Sequence, residues 1–186
     1  MKNQQRTPGR IEVRVEVPGG AYAARVIRRQ AAVFLAALGR GDRDLSVLLT
    51  GDEEIRRLNR AFRKKDQATD VLSFPGGEGP VPPGAAPFLG DLAISLDTTR
   101  RRAREDGRPL AAELSRYLAH GILHLLGFDH ERSEREAARM AVAEERLLGG
   151  EGMLGPAEDR PRRATTPANG GKRAAVVEDR RSSRRR

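Results

Sequence analysis

Apolar and polar positions follow two different periods along this chain, and these divide it into strand-like and helical segments. Positions 11–15 alternate apolar and charged side chains, which is the pattern of a half-buried strand. Short apolar runs bounded by turn-forming residues predict further strands at 45–49, 71–74 and 92–96. The segment 75–89 contains five prolines and four glycines, so we expect a long loop there, bordering a site.

Helical periodicity dominates the remaining segments. Two stretches carry apolar residues at helical intervals, and Gly39 and Gly127 are placed to end them in left-handed conformations. Asp52 is expected to cap another helix, and Ser133 with Glu136 predicts a capping box at the start of the last one. The predicted helices therefore cover 23–38, 110–126 and two segments that begin near 52 and 134.

The order of these elements, with strands mostly early and helices late, predicts an α+β fold: one small domain whose mixed sheet packs against helices. A chain of 186 residues is long enough for one such core. It contains no cysteine, which excludes disulfides, thiolate metal sites and thiol nucleophiles. No segment resembles a signal peptide or reaches about 18 consecutive apolar residues, so we expect a cytoplasmic protein without membrane contact.

The net charge of +9 is concentrated in the C-terminal part of the chain. Residues 155–186 carry ten Lys and Arg against four Asp and Glu, whereas the 154 residues before them carry 25 against 22. This tail has few large apolar side chains, so burial cannot offset the entropy of ordering it. We therefore predict a domain at 1–154 and a basic, disordered tail at 155–186, which is either a solvated extension or an RNA-binding arm.

All three histidines of the chain lie within the eleven residues from His120 to His130. Histidines four apart on a helix share one face, so His120 and His124 can bind the same ion. Gly127 ends the predicted helix, so His130 can approach from another direction while a fourth tetrahedral position stays open. Structural histidines at a chance spacing are the alternative. The absence of histidine elsewhere favours one zinc ion, held on this helix and the turn that follows it.

Such a site favours hydrolysis of an anionic substrate. Three neutral imidazoles leave the ion its full charge, which lowers the pKa of coordinated water to about 7. The spacing of the histidines equals that of metzincin proteases, in which Glu follows the first histidine as general base. Here Gly121 occupies that position, so Glu113 or Asp129 would have to substitute. The sequence therefore disfavours peptide hydrolysis.

The segment His-Gly-Ile-Leu-His-Leu-Leu-Gly-Phe-Asp-His resembles the signature of the YbeY family of bacterial endoribonucleases and ribosomal RNA maturation factors. The similarity covers about residues 45–150 and leaves out the tail. Phe62 and Phe128 stand where family members often have Tyr. Other positions that resemble family landmarks, in the expected order, are Leu58-Asn59, Phe62-Arg63, Thr69 to Pro75, Gly90-Asp91, Glu113, and Met140 with Glu144 or Glu145.

The resemblance implies a zinc-dependent, single-strand-specific endoribonuclease that acts in 16S ribosomal RNA 3′ end processing and in ribosome quality control. It also implies a catalytic Arg63 and three kinds of partner: single-stranded RNA, ribosomal particles, and a ribosomal protein or GTPase. A ribosome-associated assembly factor with a structural metal is the alternative, and a metzincin-like metalloprotease is a minor one. Water and the 2′-hydroxyl of the substrate are both open as the nucleophile.

The residues around Arg63 support its assignment independently. Arg63 follows Arg56 and Arg60 at helical spacing, so one side of this helix could track phosphates. Its guanidinium could clamp the scissile phosphate and stabilise the charge of the transition state. The alternative is a solvated helix face paired with Glu53 and Glu54.

Two aspartates are candidates for orienting a ligand imidazole through its second ring nitrogen. These are Asp129, directly before the third histidine, and Asp91. Asp129 could equally cap the end of the preceding helix. Thr69 and Asp70 are expected to organise the turn that enters a strand.

Overall fold

The computed structural model describes residues 8–77, 81–82 and 84–149, together with a two-residue strand near the C-terminus. The strands are β1 (Ile11–Val15), β2 (Asp44–Thr50), β3 (Val71–Pro75), β4 (Phe88–Ser95) and β5 (Ala175–Val176). The helices are α1 (Ala21–Ala37), α2 (Asp52–Arg63), α3 (Leu96–Glu105), α4 (Leu110–Leu125) and α5 (Glu134–Leu148).

One mixed sheet carries the fold, with its strands in the order β1-β2-β4-β3-β5. β1, β2 and β4 are parallel, whereas β3 runs antiparallel to β4 and to the short edge strand β5. Val13 pairs with Val47, which in turn pairs with Leu92, so one row of apolar side chains crosses the three parallel strands. This row forms the floor of the main core.

The main core lies between that floor and the helices α1 and α4. Ile27 of α1 and both Leu118 and Ile122 of α4 are completely buried there. Since neighbouring strand residues point to opposite faces, the other face of the sheet presents a second apolar set, which α2 covers. This smaller cluster consists of Ile55, Leu72, Phe74 and Ala93. Packing on the main core fixes α4, which carries two of the histidines.

The α+β fold with one mixed sheet is confirmed, and the predicted strands and helices recur with shifted ends. Gly39 and Gly127 have φ angles of +62° and +89°, so they end α1 and α4 in the left-handed conformation, as expected. Ser133 starts α5, and its hydroxyl accepts a hydrogen bond from the backbone N–H of Glu136 at 3.2 Å. These predictions are confirmed because a terminating glycine and a capping hydroxyl act on residues close to them in the sequence.

The structure departs from the sequence-based expectations at the end of β4 and at α3. The strand predicted at 92–96 ends one residue early because Leu96 begins α3. The apolar pattern does not predict α3 at all, since its buried side chains include Thr98 and Thr99 instead of an apolar stripe. These threonines are held by hydrogen bonds: Thr99 Oγ1 donates to the carbonyl of Ser95 at 2.5 Å.

The predicted cap at Asp52 is also corrected, since Gly51 is the N-cap of α2 and makes no side-chain capping bond. The Asp52 carboxylate turns away to α3, where it accepts hydrogen bonds from Ser95, Thr98 and Arg101. Burial opposes ionisation of Asp52, but these three donors outweigh it and lower its pKa. Asp52 therefore joins α2 to α3.

The expected disorder of the tail at 155–186 concerns residues outside the described ranges, apart from the strand β5. Part of the predicted Pro- and Gly-rich loop, residues 78–80 and 83, lies outside them as well. In the part of the chain that the structure describes, no helix is long and apolar enough to cross a membrane.

Candidate metal centre

His120 and His124 lie one turn apart on the same face of α4, as their spacing predicts. Both are buried, with 6% and 5% of their surface exposed. Their Nε2 atoms lie 2.9 Å apart, so each imidazole presents its Nε2 atom to the other. This is the arrangement of two donors that share one ion.

His130 completes a triangle of imidazoles. After Gly127 the chain folds back, and the backbone N–H of Phe128 donates to the carbonyl of Leu123 at 3.1 Å. This reversal places the ring centroid of His130 5.2 Å from that of His120 and 5.1 Å from that of His124. One nitrogen of each ring lies within 4.8 Å of the others. The three histidines can therefore hold a metal ion between them.

Asp129 orders the turn that presents His130. Its Oδ1 accepts a hydrogen bond from the backbone N–H of Glu131 at 3.0 Å, which forms an Asx-type turn around the histidine. An orienting role of Asp129 toward a ligand imidazole stays a prediction beside this turn contact. Asp91 pairs with Phe74 across the sheet, on the face covered by α2, and so lies on the side opposite α4.

Glu144 of α5 contacts one of the three histidines. The sequence alone left open whether Glu144 or Glu145 is the relevant glutamate. Its carboxylate Oε1 is hydrogen-bonded to His120 Nδ1, and a carboxylate can only accept, so the proton resides on Nδ1. In the neutral, metal-binding form of His120 the lone pair then lies on Nε2, which faces His124 Nε2. A useful signal was present, since Glu144 lies four residues after Met140, whose side chain is completely buried.

The environment keeps His124 uncharged. Burial lowers its pKa to about 3, and the neighbouring His120 and His130 act in the same direction. A neutral imidazole is the form that binds metal. Three neutral nitrogen donors, one of them with its proton fixed on the far side of the ring by a carboxylate, fit the preferences of Zn²⁺.

A buried carboxyl group, Asp70, lies near this centre at the start of β3. It accepts hydrogen bonds from the backbone N–H of Val71 at 2.8 Å and from the Thr69 hydroxyl at 3.2 Å. These contacts form the turn expected at Thr69 and Asp70. Burial raises the pKa of Asp70 to about 6, against the opposing effects of the two hydrogen bonds and of His120.

Arg63, the last residue of α2, reaches the turn that carries His130. Its Nη2 lies 3.5 Å from Glu131 Oε1, and only 20% of its side chain is exposed. By contrast, Arg56 is bound through two hydrogen bonds to Asp66 at 2.9 and 3.0 Å. The structure therefore brings Arg63, and not the whole arginine series, to the edge of the histidine cluster.

Two of the positions considered for a protease mechanism, Gly121 and Glu113, are engaged in other contacts. A Cβ atom on Gly121 would lie 2.9 Å from Leu92 Cδ2, so this position faces the packed sheet. Glu113 is buried, and both of its carboxylate oxygens accept from Arg116 at 3.0 and 3.1 Å. Neither residue offers a free carboxylate to the histidines.

Comparisons with known proteins identify relatives of this chain. The family model described as Endoribonuclease YbeY matches residues 21–150. A relative named Endoribonuclease YbeY from Anaeromyxobacter dehalogenans (strain 2CP-C) is 60% identical over 147 residues, which cover 79% of this chain and 74% of that protein. One of the same name from Anaeromyxobacter sp. (strain Fw109-5) is 56% identical over 83% of this chain and 79% of its own length.

Among solved structures, the solution structure of TM1509 from Thermotoga maritima superposes with a TM-score of 0.54 at 27% sequence identity. The match covers 76% of this chain and 88% of the Thermotoga protein. The region 21–150 that the family model matches includes the whole histidine segment and the helix that carries Arg63. This chain therefore belongs to the Endoribonuclease YbeY family.

Proposed function

We propose that this protein is a zinc-dependent, single-strand-specific endoribonuclease that acts in ribosomal RNA maturation, at the 16S 3′ end, and in ribosome quality control. The observation that carries the proposal is the convergence of the buried His120 and His124 with the half-buried His130 beside Arg63, in a chain whose relatives are named endoribonucleases. We assign His120, His124 and His130 as the ligands of one zinc ion.

The residues of the chain have separate tasks in this proposal. Zinc, when bound, supplies Lewis acidity that activates water and polarises a phosphoryl oxygen. Glu144 holds the proton of His120 on Nδ1, which keeps Nε2 available as a donor. Arg63 binds a non-bridging oxygen of the scissile phosphate and stabilises the negative charge that develops there. To do so, it exchanges its contact with Glu131 for one with the substrate.

Two chemical routes fit this set of residues. In one, water attacks the phosphorus, and in the other the 2′-hydroxyl of the RNA attacks it. The ends of the products distinguish the two, since only the second route leaves a 2′,3′-cyclic phosphate. Analysis of the product termini by mass spectrometry therefore assigns the nucleophile.

Recognition of RNA should depend on charge and single-stranded shape. The chain has only two Tyr, five Phe and no Trp, which is too few for a broad platform that stacks bases. Ribosomal particles, a ribosomal protein or a GTPase are the proposed partners, and the cytoplasm is the proposed location. These assignments rest on the family alone.

The proposal is tested by incubating the purified full-length protein with single-stranded RNA, beside His124→Ala, Arg63→Ala and Arg60→Ala variants. Bound zinc and circular dichroism are measured on the same samples. We expect cleavage by the parent and by Arg60→Ala, whose exposed side chain lies one turn before Arg63. Parental cleavage rates in folded His124→Ala and Arg63→Ala would refute the assignment. Binding to ribosomal particles without any cleavage would instead support an assembly factor with a structural metal.

A further inference from the structure

A second basic feature lies away from the histidines, where α3 meets the start of α4. It is an open groove of about 470 Å³. Its apolar floor contains the buried Ala103 and the half-buried Leu110. The described residues that line the groove are Arg100, Ala103, Arg104, Arg108 and Leu110, and none of them carries a carboxylate. We call this feature the α3 groove.

Two of these arginines are held in place by neutral groups. Arg100 Nη2 donates to the carbonyl oxygens of Pro18 and Gly19 at 3.4 and 3.1 Å, and Arg104 Nε donates to the carbonyl of Arg100 at 3.1 Å. Backbone carbonyls fix a guanidinium without cancelling its charge. Within the described ranges, the contacts of these two arginines include no carboxylate.

The other arginines nearby are different. Arg101 pairs with Asp52 at 3.0 Å, and Arg102 pairs with Glu105 at 3.3 Å. Arg108 lines the groove but lies 3.4 Å from Asp106 and 3.5 Å from Glu113. The positive charge that an incoming anion would meet therefore comes mainly from Arg100 and Arg104. These lie four residues apart on α3, so they share one face.

We propose that the α3 groove binds the sugar-phosphate backbone of single-stranded RNA outside the site of cleavage, through Arg100 and Arg104. Planar guanidinium groups that are already oriented suit phosphate oxygens, and the apolar floor suits the sugars. Leu110 begins α4 and His120 lies ten residues further on, about 15 Å along the helix axis. The inference rests on the proposed function, because it assigns an extended RNA substrate to the same protein.

The test measures binding of a labelled single-stranded RNA to the full-length, zinc-loaded protein by fluorescence anisotropy, between about 50 and 200 mM salt. Because the parent is expected to cleave this RNA, all three proteins additionally carry Arg63→Ala, and gel analysis after each titration confirms that the RNA is intact. The test variant is Arg100→Gln/Arg104→Gln. The matched control is Arg25→Gln/Arg29→Gln, which removes the same charge from two exposed arginines four residues apart on α1.

Each lost contact with a single-stranded phosphate reduces the slope of log affinity against log salt by about 0.7. We expect the slope of the test variant to be smaller by about 1.4. Between the two salt concentrations, the factor by which affinity falls should therefore be roughly seven times larger for the parent than for the test variant. It should bind more weakly than the parent at low salt, whereas the α1 control keeps the parental slope. Melting temperatures of all three proteins report on folding.

The possible outcomes separate the two proposals. A parent that binds no RNA would overturn the proposed function and the groove together. If the parent binds RNA and the test variant has the same salt slope, the groove proposal alone is overturned. The same holds if the α1 control loses as much slope as the test variant. A parallel titration with labelled poly-glutamate tests whether the groove binds an acidic peptide instead. If the test variant lost peptide binding but kept RNA binding, the proposal would also be overturned.

Discussion

His120 of α4 is hydrogen-bonded through Nδ1 to the carboxylate of Glu144 on α5. The neighbouring Glu145 is exposed, whereas the Glu144 side chain is only 16% exposed. The contact thus shows which of the two adjacent glutamates lies against the histidine cluster. Carboxylates in this position fix the tautomer and orientation of a ligand histidine and increase its basicity.

Glu144→Gln should weaken zinc binding about 10- to 100-fold, because an amide neither attracts the Nδ1 proton as strongly nor increases the basicity of the ring. Competition with a chromophoric chelator measures the dissociation constant. Glu145→Gln is the matched control and should bind zinc as the parent does. Equal affinities in both variants would contradict a role for Glu144, whereas a parent that binds no zinc would contradict the metal centre itself.

Arg63→Ala should lower kcat for RNA cleavage by roughly 10²- to 10³-fold, since one donor to the developing charge is lost. Zinc affinity should stay near the parental value, because Arg63 is not one of the three clustered histidines and its Nη2 faces Glu131. Arg63→Lys should recover only part of the rate, as an ammonium cannot donate in the bidentate manner of a guanidinium. Single-turnover kinetics measure the rate, and a parental rate in Arg63→Ala would exclude it from catalysis.

The sequence predicted the histidine cluster because both determinants are local: a four-residue helical spacing and a glycine that ends the helix. The helical spacing from Met140 favours Glu144 over Glu145, but which of the two faces His120 depends on how α5 is rotated against α4 in the folded chain. The role of Asp52 was missed for the same reason. Its partners Ser95, Thr98 and Arg101 lie more than forty positions away, and only the folded chain brings them together.

Removing zinc with a chelator should lower the stability of the parent. At a free zinc concentration of about 100 times the dissociation constant, the bound ion contributes about 2.7 kcal/mol to the free energy of unfolding. Thermal unfolding with and without chelator measures this contribution, and added zinc should restore it. His130→Ala should respond much less to the chelator. An unchanged melting temperature in the chelated parent would argue against a stabilising metal.

Gly121→Glu should destabilise the protein by several kcal/mol and confer no peptidase activity. The new side chain would enter the sheet contact, since a Cβ there lies 2.9 Å from Leu92 Cδ2 and 3.3 Å from Val71 Cγ2. It would also bury a carboxylate without a partner. Gly121→Ala is the milder comparison: overpacking costs about 1–3 kcal/mol, and the better helix propensity of Ala offsets about 1. Urea unfolding measures both, and a Glu variant as stable as the parent would contradict the packing.

Asp52→Asn should lower stability at neutral pH by about 1 kcal/mol, a value already reduced because Asp52 is partly exposed to solvent. The pKa of Asp52 is lowered from 3.8, because its three hydrogen-bond donors outweigh the opposing effect of burial. Its carboxylate therefore stabilises the fold above about pH 4, and the contribution is lost as pH falls below that value. Unfolding at pH 7 and pH 3 should show a difference between parent and variant that shrinks in acid. A constant difference would contradict this role.

The position of Glu144 on α5 has a thermodynamic consequence for the C-terminal part of the domain. The three histidines lie on α4 and the turn after it, so the donors can assemble before α5 packs, but the carboxylate arrives only with α5. If docking of α5 strengthens zinc binding, linkage requires bound zinc to strengthen the docking of α5 by the same factor. Bound zinc would then stabilise the packing of α5 against α4. Loss of the ion would allow α5 to detach before the sheet unfolds.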